Sequence, residues 1–218
     1  MARLSDAYPA SVRLRVAETC AATRALGPGL RSVAWVQGCP FRCRGCLAPD
    51  WIPADAPARE VRPADLAAEL LAHPGVTGIT FSGGEPMAQA AGLAEVIAIA
   101  RRERDLTLIC FTGYRLAELR ERPPGAGVAE LLARTDVLID GRYVAQRNDG
   151  HGLRGSSNQQ VHMLTGRLAH AAGELAQGPR STEIRVRERS ALLVGVPSTA
   201  VAEMFDLIPA PVGRRNAG

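Results

Sequence analysis

Apolar and polar positions along the chain alternate between a period of two and a period near 3.6, which divides it into strand-like and helix-like stretches. "SVRLRVAET" (11–19) and "RSVAWVQG" (31–38) read as strands, separated by a "GPG" turn at 27–29. "RPADLAAELLAH" (62–73) reads as a helix with Pro63 in its first turn, where the missing N–H costs nothing. "VTGITFSGGEP" (76–86) is an apolar strand running into a glycine loop, followed by an Ala-rich helix over 89–104. A buried-type strand at 106–113, helices at 115–122 and 128–136, and strands at 136–143 and 160–164 complete the alternation. The tail differs. "TEIRVRER" (182–189) and "ALLVGVP" (191–197) form a β-hairpin pattern, and "STAVAEMFDLI" (198–208) reads as a helix with Ser198 as its N-cap.

Strand–helix alternation predicts an α/β fold with a mostly parallel sheet and crossover helices. Residues 1–164 are expected to form the core. Residues 165–218 are expected to be an extension of helix, hairpin and helix packed on it. In a parallel sheet the loops after the strands share one rim. The loops after 31–38, 76–86 and 106–113 are therefore expected to converge.

Composition narrows the classes. The chain has 218 residues, of which 46% are hydrophobic, enough for one real core. No apolar run is long enough to span a membrane, and "MARLSDAYPA" has no apolar signal core, so a cytoplasmic protein with no membrane partner is expected. All 26 basic residues are arginine, and the net charge is only +4. With 4% aromatic residues and no basic stripe, no nucleic-acid partner is expected, and the arginines read as a solvated surface.

The five cysteines change the picture. Cys39, Cys43 and Cys46 fall inside "VQGCPFRCRGCLAPDW" (36–51), whereas Cys20 and Cys110 lie in strand patterns and read as buried thiols. An odd count argues against a disulfide framework. Thiolates select zinc or iron–sulfur clusters. A structural zinc site wants four ligands, and here the fourth would be Asp50, His73 or something remote. A 4Fe–4S cluster ordinarily takes four thiolates, so three would leave one iron open for chemistry. The histidines (His73, His151, His162, His170) show no ligand spacing.

Cys39-x3-Cys43-x2-Cys46 resembles the cluster motif of the radical S-adenosylmethionine superfamily, and "FSGGEP" (81–86) resembles its GGE motif. Within that superfamily, "GPGLRSVAWVQGCPFRCRGC" (27–46), "FTGYRLAEL" (111–119), "DVLIDGRY" (136–143) and "LRGSSNQQV" (153–161) resemble the glycyl radical enzyme activases, of the anaerobic ribonucleotide reductase activating type. The resemblance implies a partial, open TIM-like barrel and a 4Fe–4S cluster on the three loop cysteines. It also implies S-adenosylmethionine as co-substrate, bound by its amino group at the GGE turn, and its reductive cleavage to a 5′-deoxyadenosyl radical. The residues implied to bind it are Ser82, Gly83, Gly84, Glu85, Thr112, Arg154, Ser156 and Asn158. Asp140 and Arg154 are candidates for a catalytic role, with a strand-end Asx turn as the alternative for Asp140. The implied partners are a glycyl radical enzyme as substrate and an electron donor such as flavodoxin or ferredoxin. The sequence departs from the group at Leu47 and Ala48, where an aromatic residue and an asparagine are usual, and in its long tail. A radical enzyme acting on a peptide or small metabolite, and a non-enzymatic iron–sulfur or zinc module, are the alternative readings.

Overall fold

The computed structural model describes residues 12–188, 190–206 and 213–217. The first residue of the expected opening strand, the end of the last helix at 207–208 and the hairpin residue 189 lie outside these.

The main sheet has seven strands in the order β3-β1-β2-β4-β5-β6-β7. They are β1 (Leu14–Thr23), β2 (Arg31–Val36), β3 (Arg59–Val61), β4 (Gly78–Gly83), β5 (Thr107–Thr112), β6 (Val137–Asp140) and β7 (Gln160–Met163). The central four, β2, β4, β5 and β6, are parallel. The flanking pairs β1–β2, β1–β3 and β6–β7 are antiparallel. The sheet is open: β3 and β7 are its two edges, and no barrel closes among the described residues.

Helices α1 (Pro63–Leu70), α2 (Ala90–Glu103), α3 (Leu116–Glu121) and α4 (Val128–Arg134) supply the crossovers. Pro63 stands in the first turn of α1, as its fixed φ favours. Residues alternate across the strands, so each strand feeds two cores. Ala34, Val36, Ile79, Phe81, Leu108, Cys110 and Leu138 pack with Leu66, Leu93, Ile97 and Leu131 of the helices. On the other face, Val33 and Trp35 pack with Trp51 and with Leu192, Val194 and Val196. Ile109, Val137 and Ile139 pack with Leu168, Ala171 and Leu175.

That second face is covered by the tail. After α5 (Ala172–Gln177), β8 (Thr182–Arg187) and β9 (Ser190–Gly195) form the expected antiparallel hairpin, and α6 (Thr199–Asp206) follows. The Ser198 hydroxyl accepts from Val201 N at 3.4 Å, consistent with an N-cap. A third strand, β10 (Gly213–Ala217), pairs parallel with β9. Neither β10 nor β3 shows in the hydrophobic pattern, because both are short and polar.

The solvated-surface reading of the arginines needs correction. Arg31 is wholly buried on the tail-facing side of the sheet. Its Nε donates to Thr80 Oγ1 (2.8 Å), Nη1 to Pro28 O and Thr107 Oγ1, and Nη2 to Ile79 O and Thr107 O. All its acceptors are neutral. Burial pushes its pKa down to about 9, which leaves it charged at neutral pH.

Candidate cluster and co-substrate cleft

The C-terminal ends of β2, β4, β5 and β6 meet at one open cleft of about 720 Å³. Cys39, Cys43 and Cys46 line it from the loop after β2. Ser82, Gly83, Gly84 and Glu85 line it from the end of β4, and Thr112 and Gly113 from the end of β5. Gly141 to Tyr143, Gly155 and Gln159 form the wall beyond β6.

Backbone contacts weld the first two loops together. Gly84 N donates to Val36 O (2.7 Å) and Glu85 N to Gly38 O (2.9 Å), while Gly38 N and Cys39 N donate to Trp51 O and Ile52 O. Gly83 has φ +102°, and a Cβ on Gly84 would stand 2.3 Å from Gly38 O. Both glycines are thus required for approach to the cysteine loop's own backbone. The Phe41 ring packs on Gly113 and meets Tyr114 edge-on at 4.7 Å, and the exposed Arg142 guanidinium lies 4.5 Å from its centroid.

Glu85 is almost fully buried. Its carboxylate accepts from Met87 N, Thr112 Oγ1 and Gly113 N, each at 2.8 Å. Burial raises its pKa to about 7, against the lowering effect of those three donors. Glu85 thus ties the β4 and β5 loops together while lining the cleft, and Thr112 is its partner there.

Four candidates are placed elsewhere. Asp140 does not line the cleft. It accepts from Leu116 N (2.7 Å), Arg115 Nη1 (3.3 Å) and His162 Nε2 (2.8 Å), fastening α3 and β7 to the end of β6. Arg154 is buried beside Asp149 (2.8 Å), with its Nη1 unpartnered. Ser156 accepts from Val144 N through its hydroxyl, and Asn158 donates to Arg142 O. These three shape the loop that brings Gly155 and Gln159 to the cleft, and they are not among its lining. Gln159 was missed by the sequence reading. Its Oε1 accepts from Gly155 N and Ser156 N, and its Nε2 donates to Gly141 O, so it braces the wall it belongs to.

The three loop thiols fit a cluster by donor type and placement. They are free, half-buried and open onto one cleft, whereas Cys20 and Cys110 are buried elsewhere. Among the described residues, no three His, Cys, Asp or Glu side chains are gathered closely enough to hold one metal ion. A four-iron cluster takes each thiolate on a different iron, so its sulfurs need not meet at a point. Without a cation, burial drives the Cys39 thiol up to about 12 and raises Cys46 as well. Thiolates there require a positive partner to offset desolvation.

Residues 25–162 match the family of 4Fe–4S single cluster domains. The chain belongs to that family. It is similar to an anaerobic ribonucleoside-triphosphate reductase-activating protein of Vibrio cholerae, 32% identical over 64% of this chain and 91% of the relative. A protein of the same name from Enterobacteria phage T4 is 28% identical over 62% of this chain and 85% of the relative. A pyruvate formate-lyase-activating enzyme of Staphylococcus aureus is 38% identical over 63% of this chain, which spans only 55% of that longer relative. This places the chain among the radical S-adenosylmethionine activases, as an enzyme with a 4Fe–4S cluster and S-adenosylmethionine as its cofactors. No helix among the described residues is long and apolar enough to cross a membrane.

Proposed function

We propose that this chain is an activase that creates a radical on a glycine of a partner polypeptide, of the kind named for its relatives. The observation that supports this best is the single cleft shared by the cysteine loop, the GGE turn and the β5 and β6 loops. Cys39, Cys43 and Cys46 would hold the cluster. When bound, the cluster supplies the electron for cleaving S-adenosylmethionine into methionine and a hydrogen-abstracting 5′-deoxyadenosyl radical.

The chain's own residues bind, orient and exclude water. The backbone of Ser82 to Gly84 offers carbonyl acceptors for an ammonium, and Glu85 adds negative charge once deprotonated. Thr112 and Gly113 fix the Glu85 carboxylate, so it need not reorganise when the co-substrate arrives. Phe41, Leu47, Ile52, Phe111 and Val196 give the cleft an apolar side, which keeps water from a reactive radical. The open sheet is read as a partial barrel, with the polypeptide substrate admitted at the rim. The electron donor would be a flavodoxin or ferredoxin and the compartment the cytoplasm.

A second reading, a radical enzyme acting on another peptide or a small metabolite, is favoured by one observation. Val196, from beyond the family match, forms part of the cleft. The test is the yield of 5′-deoxyadenosine from reconstituted, reduced protein, with and without candidate glycyl radical enzymes, alongside the spin signal. A polypeptide-dependent yield with a glycyl radical supports the activase. Coupled turnover of a small molecule without polypeptide moves the assignment to the second reading.

A further inference from the structure

The tail after the family match is not an appendage on the outside of the fold. Leu192, Val194 and Val196 are buried against Val33, Trp35, Ala48 and Trp51, on the face of the sheet that leads up to the cleft. A second, partly open pocket is lined by Ala25, Gly27, Leu153, Glu174, Arg180 and Ser181 among others. Among the described residues, Val196 alone lines both this pocket and the cleft. It is 2% exposed.

Arg180 anchors the chain next to Val196. Its side chain is 6% exposed. Its Nη1 donates to Pro197 O (3.3 Å), the residue next to Val196, and to Asn148 Oδ1 (2.6 Å). Nε donates to Gly152 O (3.1 Å), and Nη2 to the carbonyls of His151, Arg154 and Gly155. One guanidinium therefore clamps the tail to the turn that carries Gly155, the residue on the cleft's other wall. The planar fork is suited to several fixed acceptors at once, which an ammonium is not.

We propose that the tail supplies the inner wall of the cleft. Val196 is a specificity-determining partition that limits how deep a substrate can reach and keeps the second pocket's water out. Arg180 is the positioning residue that keeps Val196 and Gly155 in register. The part concerning substrate rests on the activase reading; the part concerning the wall does not.

Tryptophan fluorescence separates the two. Trp35 and Trp51 are the only tryptophans, are both buried, lie 5.7 Å apart and share the apolar cluster of Val196. In cluster-free protein, Val196→Ala should raise acrylamide quenching roughly twofold or more, because a truncated packed side chain leaves a void that does not fully collapse. Val196→Ile should quench like the wild type. If Val196→Ala does not fold, Val196→Thr, which keeps the shape but admits water, should show a smaller rise. Arg180→Met should raise quenching and speed amide exchange at 152–155 more than elsewhere, with Arg180→Lys restoring part of each. In reconstituted protein, Val196→Ala should raise the 5′-deoxyadenosine released per substrate radical formed, and Val196→Ile should restore coupling. Wild-type quenching in folded Val196→Ala overturns the partition. Uniform exchange in Arg180→Met overturns the clamp. Raised quenching with unchanged coupling overturns the control over substrate. If even the wild type fails to cleave S-adenosylmethionine, the functional reading falls and the quenching result alone decides the wall.

Discussion

Gly84→Ala is the smallest change that tests whether the GGE turn is built onto the cysteine loop. The added Cβ would lie 2.3 Å from Gly38 O, 2.7 Å from Gly38 C and 2.9 Å from Trp51 O. These are backbone atoms, so no side chain can swing aside. Restoring ordinary contact needs a shift of about 1 Å, which strains the Gly84–Val36, Glu85–Gly38 and Gly38–Trp51 hydrogen bonds. Overpacking of this kind costs about 1–3 kcal/mol, and each weakened hydrogen bond adds about 0.5–1.5 kcal/mol when lost. A total of about 2–5 kcal/mol lowers Tm by roughly 5–15 °C in a chain of this size. Melting of the cluster-free protein, followed by iron analysis after anaerobic reconstitution, should show both a lower Tm and less iron. A Tm within about 2 °C of wild type, by the same scaling, with full iron, would show that the two loops are not welded. Loss of co-substrate binding alone would mean that the glycine serves only the ligand.

Arg31→Met leaves the neutral acceptors Thr80 Oγ1, Thr107 Oγ1 and Ile79 O without their buried donor and should cost about 1–3 kcal/mol; an unchanged urea midpoint would contradict the burial described. Glu85 has a folded pKa of about 7 against an ordinary 4.5, so the folded chain holds a proton there that the unfolded chain releases. Stability of the cluster-free protein should therefore be greatest below about pH 4.5 as far as this group is concerned, and fall by up to about 3 kcal/mol as pH rises to about 7. Glu85→Gln should flatten that slope, and an identical slope in the variant would refute the assignment. Asp140→Ala should lower stability by about 2–4 kcal/mol, because it frees Leu116 N, Arg115 and His162. Activity lost at unchanged stability would support a catalytic role for Asp140. Burial raises the Cys110 thiol well above 9, so iodoacetamide at pH 8 should label it only after unfolding; fast labelling of the native chain would contradict its place in the core.

Much of this was legible in the chain. The period-two stretches at 31–38, 76–86 and 106–113 gave strands whose loops do share a rim, because parallel order follows from strand–helix alternation. The tail hairpin showed for the same reason: "ALLVGVP" is too apolar to face water on both sides. What could not be read depends on contacts between distant segments. Nothing near Arg31 in the chain marks it for full burial among 26 basic residues; its acceptors come from Thr80 and Thr107 on other strands. Asp140 looks like a rim residue by position, yet its side chain turns to α3 and His162. Val196 reads as ordinary hairpin core, and only the fold of the tail over the sheet brings it to the cysteines' cleft. The tail's covering of that face also alters the expected openness: one face of the open sheet is filled by the chain itself.

The central claim is that the loop thiols, and no others, hold the cluster in this cleft. The most direct measurement is iron content with the reduced cluster's electron paramagnetic resonance after anaerobic reconstitution, taken for each of the five cysteines changed to alanine in turn. Cys39→Ala, Cys43→Ala and Cys46→Ala should each lose the 4Fe–4S signal, while Cys20→Ala and Cys110→Ala should keep it, with S-adenosylmethionine perturbing the spectrum only where the cluster remains. A cluster retained in Cys43→Ala but lost in Cys20→Ala or Cys110→Ala would contradict the account.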